Sequence, residues 1–354
     1  MSTSLKKARR IYLAGRRKPI GDGQPVFIIA EAGVNHNGSL KLAKQLVDAA
    51  KAAGADAVKF QTFQAEKLAD QSAPLAGYQK RGINAASQFE MLKQLELPPA
   101  AFKELFSYCR KKGILFLSTP FDQPSALLLN KLPVAAFKIS SGDLNNLPLL
   151  RMITAFGRPI ILSTGMATMA EVMTAVKAIS RKDLILLHCT SNYPTAYQNV
   201  NLLAMETIRS ATGLLVGYSD HTLGIEVPLA AAALGASVIE KHFTLDRKMK
   251  GPDHLASLEP KELTEMVAGI RKIEKAMGRP EKAPIRSELP IRLVARKSLF
   301  AVRDIAKGEK ITEAMLAIKR PGTGIEPKHL DAIVGRRAGS LITQGTLLAW
   351  RQLR

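Results

Sequence analysis

The sequence predicts an α/β protein, a (β/α)8 TIM barrel followed by a small β-rich domain, and three observations carry that prediction. Short apolar runs alternate eight times with amphipathic stretches over about 250 residues, the size of one such barrel. The polar residues that interrupt those runs fall almost entirely at their downstream ends. After Met277 the chain becomes polar and rich in proline before a second apolar pattern begins.

The eight runs are Val26–Ala30, Ala57–Phe60, Ile114–Leu117, Ala135–Ile139, Pro159–Leu162, Leu184–Leu187, Leu214–Gly217 and Ser237–Glu240. Between them lie stretches with helical spacing, such as Leu40–Ala53, Ala101–Lys112, Met169–Ser180 and Ile225–Leu234, and Pro260–Met277 closes the series. Strands that alternate with helices pair in parallel, because a parallel neighbour needs a crossover. A doubly wound fold would place GxGxxG after the first strand, whereas this chain has Glu31 followed by AGVNHNG. Gly278, Pro280, Pro284 and Pro290 punctuate a linker. The expected organisation is a basic tail over 1–20, the barrel over 21–278, a linker over 279–292 and a small domain over 293–354. Three β-type runs, Ser298–Val302, Leu316–Ile318 and Ala338–Ile342, supply that last piece.

The formal charge is +21, and its location matters more than its size. Residues 1–20 contribute +7 with no acid, 21–284 contribute +6, and 285–354 contribute +8. Aromatic residues make up 5% of the chain, and only Tyr12 lies among the N-terminal cations, so no stacking platform for nucleic acid is visible. The tail reads as solvated, and a mildly basic body suits anionic substrates. No apolar run approaches the length of a membrane span, and no signal-like segment follows the basic start, so a cytoplasmic protein is expected. Cys109 and Cys189 read as buried thiols.

In a (β/α)8 barrel the chemistry gathers where the strands end. Here those ends carry Glu31; Lys59 and Gln61; Ser118 and Thr119; Lys138, then Ser140, Ser141 and Asp143; Ser163; His188, then Ser191 and Tyr193; Ser219 and His221; and Glu240 and His242. Two lysines and several hydroxyls converging on one mouth suit a small, highly charged anion. His221 and His242 lie one βα repeat apart, so both imidazoles reach adjacent strand ends as a possible metal pair with open coordination positions. His36 and His188 lack such spacing and read as packed histidines. His254 sits in a loop that could line the mouth, where Asp253 is the stronger candidate for holding sugar hydroxyls.

FIIAEAGVNHNG at 27–38, VKFQT at 58–62, STPF at 118–121, KISSG at 138–142, LSTGM at 162–166, SDHT at 219–222, EKHFT at 240–244 and GPDH at 251–254 together resemble the sialic acid synthase family. KRPGTG at 319–324 resembles its C-terminal antifreeze-like, or SAF, domain. The resemblance covers about residues 20 to 354. It implies a Mn2+ or Mg2+ ion on His221 and His242, and phosphoenolpyruvate held by Lys59, Thr119, Lys138, Ser141, Ser163, Ser191 and Ser219. It implies catalytic or sugar-holding roles for Glu31, Tyr193 and Asp253, with Gln61 and Asp143 nearby. Arg320 is implied to reach the N-acyl group of an amino sugar from a lid swapped within a homodimer. Two positions depart from the pattern: some members have Asn two places before the tyrosine, where Ser191 stands, and many have Glu where Asp143 stands.

The expected reaction joins phosphoenolpyruvate to N-acetylmannosamine, giving N-acetylneuraminate and phosphate by C–O cleavage. A diacetamido-trideoxy hexose, leading to legionaminate, is the alternative substrate. A Schiff-base aldolase using Lys138 is the rival mechanism, which borohydride trapping with pyruvate separates because the synthase forms no imine.

Overall fold

The structure is a computed structural model and describes residues 8–77, 79 and 85–354. It divides into two compact units, one ending at Gly278 and one beginning at Arg279.

In the first unit a short hairpin, β1 (Arg10–Ile11) and β2 (Ile20–Gly21), precedes eight parallel strands. These are β3 (Phe27–Gly33), β4 (Ala57–Thr62), β5 (Leu115–Pro120), β6 (Phe137–Ile139), β7 (Ile160–Ser163), β8 (Leu184–Cys189), β9 (Leu215–Asp220) and β10 (Val238–His242). They hydrogen-bond in the order β5-β4-β3-β10-β9-β8-β7-β6, and β6 packs beside β5 to bring the ends of that order together. Helices such as Leu40–Ala52, Pro99–Lys112 and Pro260–Met277 cover the outside.

Successive side chains alternate across a strand, so each barrel strand sorts its residues into an inner and an outer set. Outward Ile28, Val58, Phe60, Val216 and Ile239 join the large core beneath the helices. Inward Phe27, Ile29, Ala57, Leu117, Ala136, Ile161, Ile185, Leu187, Leu215 and Val238 form a second core inside the barrel. Two residues further along the same strands, or four on β9, the same inward parity falls on Glu31, Lys59, Thr119, Lys138, Ser163, Cys189, Ser219 and Glu240. Most strands therefore run past their apolar stretches and take the polar residues with them, which is why several observed strands end later than the apolar runs suggested.

The segment read as a solvated basic tail is folded from Arg10 to Gly21. Ile11, Leu13 and Ile20 belong to the inner core and seal the barrel at the end opposite the mouth. Arg16 holds the turn by donating to the carbonyls of Lys18 (2.6 Å) and Pro19 (2.9 Å), and pairs with Asp56 (3.2 Å). Its guanidinium stacks over the Phe27 ring at 4.9 Å. Apolar positions buried among the cations, not the charge, decide this segment.

The second unit has its own core of Leu299, Ala301, Ile305, Ile311, Met315, Ile325, Ile333, Ala338, Ile342 and Leu348. β11 (Ser298–Ala301) pairs antiparallel with β12 (Leu316–Lys319). The run 338–342 forms isolated bridges, Ala338 to Leu353 and Ile342 to Ile305, instead of the expected strand. The stretch read as a linker contains a helix, Glu288–Ala295. Pro290 lies in its first turn, where a missing N–H costs nothing, so the proline that suggested a linker is compatible with a helix start.

Among the described residues, no helix is long and apolar enough to cross a membrane.

Candidate active site

The inward polar layer lines a cavity of about 550 Å³ at the C-terminal ends of the strands. Glu31, Lys59, Gln61, Thr119, Lys138, Ser141, Asp143, Ser163, Ser191, Tyr193, Ser219, His221, His242 and Asp253 all reach it. Of the residues expected at the site, only Arg320 belongs to the second unit, where its Nε donates to the Ala295 carbonyl at 3.1 Å.

Two lysines anchor the floor. Lys59 Nζ lies 2.7 Å from Glu31 Oε2 and donates to Thr119 Oγ1 at 3.1 Å. Lys138 Nζ donates to Ser163 Oγ at 2.7 Å. Between them stands Glu240, with Oε1 3.4 Å from Lys138 and Oε2 3.8 Å from Lys59, and with Ser219 donating to it at 2.9 Å. In the sequence Glu240 stands at a strand end with no role expected of it. Its parity was the available signal: it sits two residues before His242, hence on the same inward face.

Burial works against every charge here, and neighbours decide which survive. Burial pushes the Glu31 carboxyl up to about 7 against the pull of Lys59, with the negative charge of Glu240 adding to the rise. Glu240 goes the other way: burial would raise it, but Lys138 and Lys59 hold it below the usual carboxylate value. Burial opposes the Lys59 charge too, and the carboxylates of Glu240 and Glu31 outweigh it, so its pKa is raised. Lys138 is lowered by burial, despite Glu240. One carboxylate thus stays ionised while its neighbour can hold a proton near neutral pH, which separates an acid from an anion. Burial also lifts Asp253 to about 6.

His221 and His242 lie with ring centroids 5.4 Å apart, and the Tyr193 ring packs, tilted, 4.2 Å from the His221 ring. His221 Nδ1 lies 2.7 Å from the Thr190 carbonyl. A carbonyl only accepts, so Nδ1 carries the proton and Nε2 keeps a lone pair. His242 Nδ1 is buried without a hydrogen-bond partner, 3.8 Å from Asp253 Oδ2. Burial lowers His221 to about 4 and His242 well below its ordinary value, so both rings are neutral at pH 7. Two neutral imidazoles, one with an orphaned nitrogen, fit a borderline divalent cation with open positions. Among the described residues, no group of three or more His, Cys, Asp or Glu forms a closed metal cage.

The turns shape the remainder. Gly165 donates its N–H to Ser141 Oγ at 2.9 Å. A Cβ there would collide with Ser191 Oγ, come within 2.8 Å of Cys189 Sγ and 2.9 Å of Ser141 Oγ, so only glycine lets these groups converge. Asp143 lines the cavity while its oxygens accept from Ser140 (2.8 Å) and Asn146 (3.2 Å), which spends them partly on its own turn. Cys109 and Cys189 are free and buried, as expected. His254 corrects the reading that it could line the mouth: it is buried, 2.7 Å from Thr244 Oγ1 and 3.1 Å from Asn37 Oδ1.

One residue beyond each inward position the parity reverses. Asp220 and Lys241 point outward beneath the helices and form a fully buried ion pair at 2.5 Å, to which Thr222 adds its hydroxyl at 2.9 Å. This pair joins β9 to β10 directly behind His221 and His242. It explains why the mouth uses two of three strand-end lysines.

Fold and site define a (β/α)8 protein whose mouth brings two buried lysines together with a histidine pair. The NeuB family model matches residues 46–282 and the SAF domain model matches 296–354. The chain belongs to the NeuB family and is an enzyme of the nonulosonic acid synthase kind that its relatives represent. It is 48% identical to the N,N'-diacetyllegionaminic acid synthase of Legionella pneumophila, over 95% of this chain and 97% of that one. The Campylobacter jejuni protein of the same name is 50% identical over 88% of this chain and 95% of that one. Among solved structures, the N-acetylneuraminic acid (sialic acid) synthetase of Leptospira borgpetersenii, in complex with citrate, superimposes with a TM-score of 0.71. It is 40% identical and covers 80% of this chain and 95% of its own.

Proposed function

We propose that this chain condenses phosphoenolpyruvate with an open-chain diacetamido-trideoxy hexose, giving N,N'-diacetyllegionaminic acid and phosphate. The observation that carries the reaction class is the inward layer itself, in which two buried ammonium groups with hydroxyl partners stand opposite two neutral imidazoles. The identity to the legionaminate enzymes favours the diacetamido sugar over the N-acetylmannosamine expected from sequence. N-acetylmannosamine is the second reading, supported by the Leptospira structure.

Lys59 and Lys138 hold the phosphate and carboxylate of phosphoenolpyruvate, helped by Thr119, Ser141, Ser163, Ser191 and Ser219. A divalent metal on His221 and His242, Mn2+ or Mg2+, would polarise the sugar's aldehyde. Phosphoenolpyruvate C3 bonds to the aldehyde carbon, whose oxygen takes a proton that Glu31 is placed to hold. Water adds at C2 and returns a proton to Glu31, and the tetrahedral carbon expels phosphate with its bridging oxygen, the C2 hydroxyl proton leaving with the phosphate as the ketone forms. Tyr193, Asp253 and Gln61 orient the sugar.

Phosphate release from phosphoenolpyruvate tests this across the diacetamido sugar, N-acetylmannosamine and arabinose 5-phosphate. Release with an N-acylated sugar is expected. Release with arabinose 5-phosphate alone overturns the reading.

We further propose a homodimer in which Arg320 serves the partner's mouth. The exposed Leu289, Ile291, Leu293 and Val294 of helix Glu288–Ala295 support a covering partner. Mixing His221→Ala with Arg320→Ala chains should then restore activity to about a quarter of sites, as closed two-fold symmetry dictates. No recovery after verified subunit exchange contradicts the swap.

A further inference from the structure

The cavity has two unlike walls. One is the charged floor already described. The other is apolar and is built by Val34, Leu68, Met91, Leu92, Leu95 and Phe121. Most of it comes from the connection between β4 and the helix Pro99–Lys112, residues 63–98, far longer than the two to six residues common after a barrel strand. Segments that follow a barrel strand stand at the mouth, where ligand contacts gather.

This segment carries its own folded support. The helix Gln88–Leu95 begins at Ser87, whose side chain accepts from the Glu90 N–H, and turns Met91, Leu92 and Leu95 to one side. Together with Val34, Phe63 and Ala65 these side chains form a core separate from that of the barrel. Phe63 meets Phe121 edge-on at 6.4 Å. Two carboxamides interrupt the apolar wall: Gln79 and Gln88 both line the cavity, with Gln88 Nε2 3.4 Å from Gln79 Oε1.

Phosphoenolpyruvate has one methylene and is otherwise carboxylate and phosphate, so it has no use for such a wall. The other reactant must face it. A hexosamine hydroxylated at C4 and C6 would press hydroxyls against Leu, Met and Phe, where an unpaired hydroxyl is costly. A sugar with a methyl at C6 and an acylamino group at C4 offers methyl groups to the apolar side chains and an amide to the carboxamides.

We propose that the wall of Leu68, Met91, Leu92, Leu95 and Phe121 is the specificity surface of this enzyme, selecting a 6-deoxy, 4-acylamino sugar over a fully hydroxylated hexosamine. The proposal rests on the sugar reading above. A hydrophobic pocket discriminates single groups by roughly 10- to 200-fold, so a preference of that order follows.

The test uses full-length enzyme with phosphoenolpyruvate and Mn2+, and measures kcat/KM for 2,4-diacetamido-2,4,6-trideoxymannose and for N-acetylmannosamine. Wild type should prefer the first by about tenfold or more. Met91→Gln, and half-buried Leu68→Gln as a second variant less prone to misfold, should each lower that ratio about tenfold while leaving the KM for phosphoenolpyruvate unchanged. A wild-type preference for the diacetamido sugar that survives in both folded variants overturns the wall and leaves the sugar reading standing. A wild type that prefers N-acetylmannosamine overturns both.

Discussion

The two ends of the barrel interior are made by the same strands on the same parity, and they have opposite chemistry. At the end where the strands begin, Phe27, Ala57, Ile161, Leu215 and Val238 close on the hairpin residues Ile11, Leu13 and Ile20. At the other end, one or two inward positions later, Glu31, Lys59, Ser163, Ser219 and Glu240 face a cavity. The first end gains stability from apolar burial, about 25 cal/mol per Å². The second gives stability up: each buried charge there costs several kcal/mol of desolvation that only its partners offset. A strand of five or six residues therefore holds a structural half and a chemical half, and substitutions should sort by half.

Lys138→Met should cause the largest change. Removing one preorganised charge from a dry site lowers turnover about a thousandfold. Melting temperature should change little by comparison, because the variant relieves a buried ammonium while Lys59 stays beside Glu240; steady-state phosphate release and a thermal melt read the two effects separately. If stability falls and turnover survives, Lys138 is structural.

Lys241→Met reverses that pattern. This lysine lies outward, and its loss leaves Asp220 buried with no cation, at a cost of about 3 kcal/mol or more. Denaturant unfolding should show that loss, and the double variant Asp220→Asn, Lys241→Met should recover part of it. A single variant as stable as wild type contradicts the account of the pair.

Ile20→Ala tests the sealed end. Cavity creation there should destabilise the barrel by about 2 to 4 kcal/mol while the folded fraction keeps its kcat/KM. A change in kcat/KM at equal folded fraction would show that the hairpin reaches the chemistry.

The smallest effect concerns pH. Burial lowers His36 to about 4, below its unfolded value, so the unfolded chain binds a proton first as pH falls. Stability is therefore present above about pH 6.5 and is lost on acidification, by about 1 kcal/mol between pH 7 and 5.5 for this one residue. Measured as the difference between wild type and His36→Gln, the slope should be steeper in wild type. Parallel profiles contradict a buried neutral His36.

The mouth was legible in the sequence because most polar residues that interrupt apolar runs fall where the chemistry is, as Lys59 after Ala57-Val58 and His242 after Val238-Ile239 illustrate. Period two could also have separated inward Glu240 from outward Lys241, a distinction the motifs alone do not make. The folded N-terminal hairpin was hidden because Ile11, Leu13 and Ile20 are scattered among seven cations. The apolar wall was hidden for another reason: Met91, Leu92 and Leu95 are ordinary amphipathic-helix residues, and only the placement of the helix Gln88–Leu95 brings them to the cavity.

In the proposed reaction carbon–carbon bond formation is coupled to hydration at C2 and to C–O cleavage. Phosphoenolpyruvate labelled with 18O in its bridging oxygen, incubated with enzyme, Mn2+ and the diacetamido sugar, measures this directly. The label should leave in phosphate, with no phosphate formed when the sugar is omitted. Label retained at C2 of the product, or phosphate released without sugar, would contradict it.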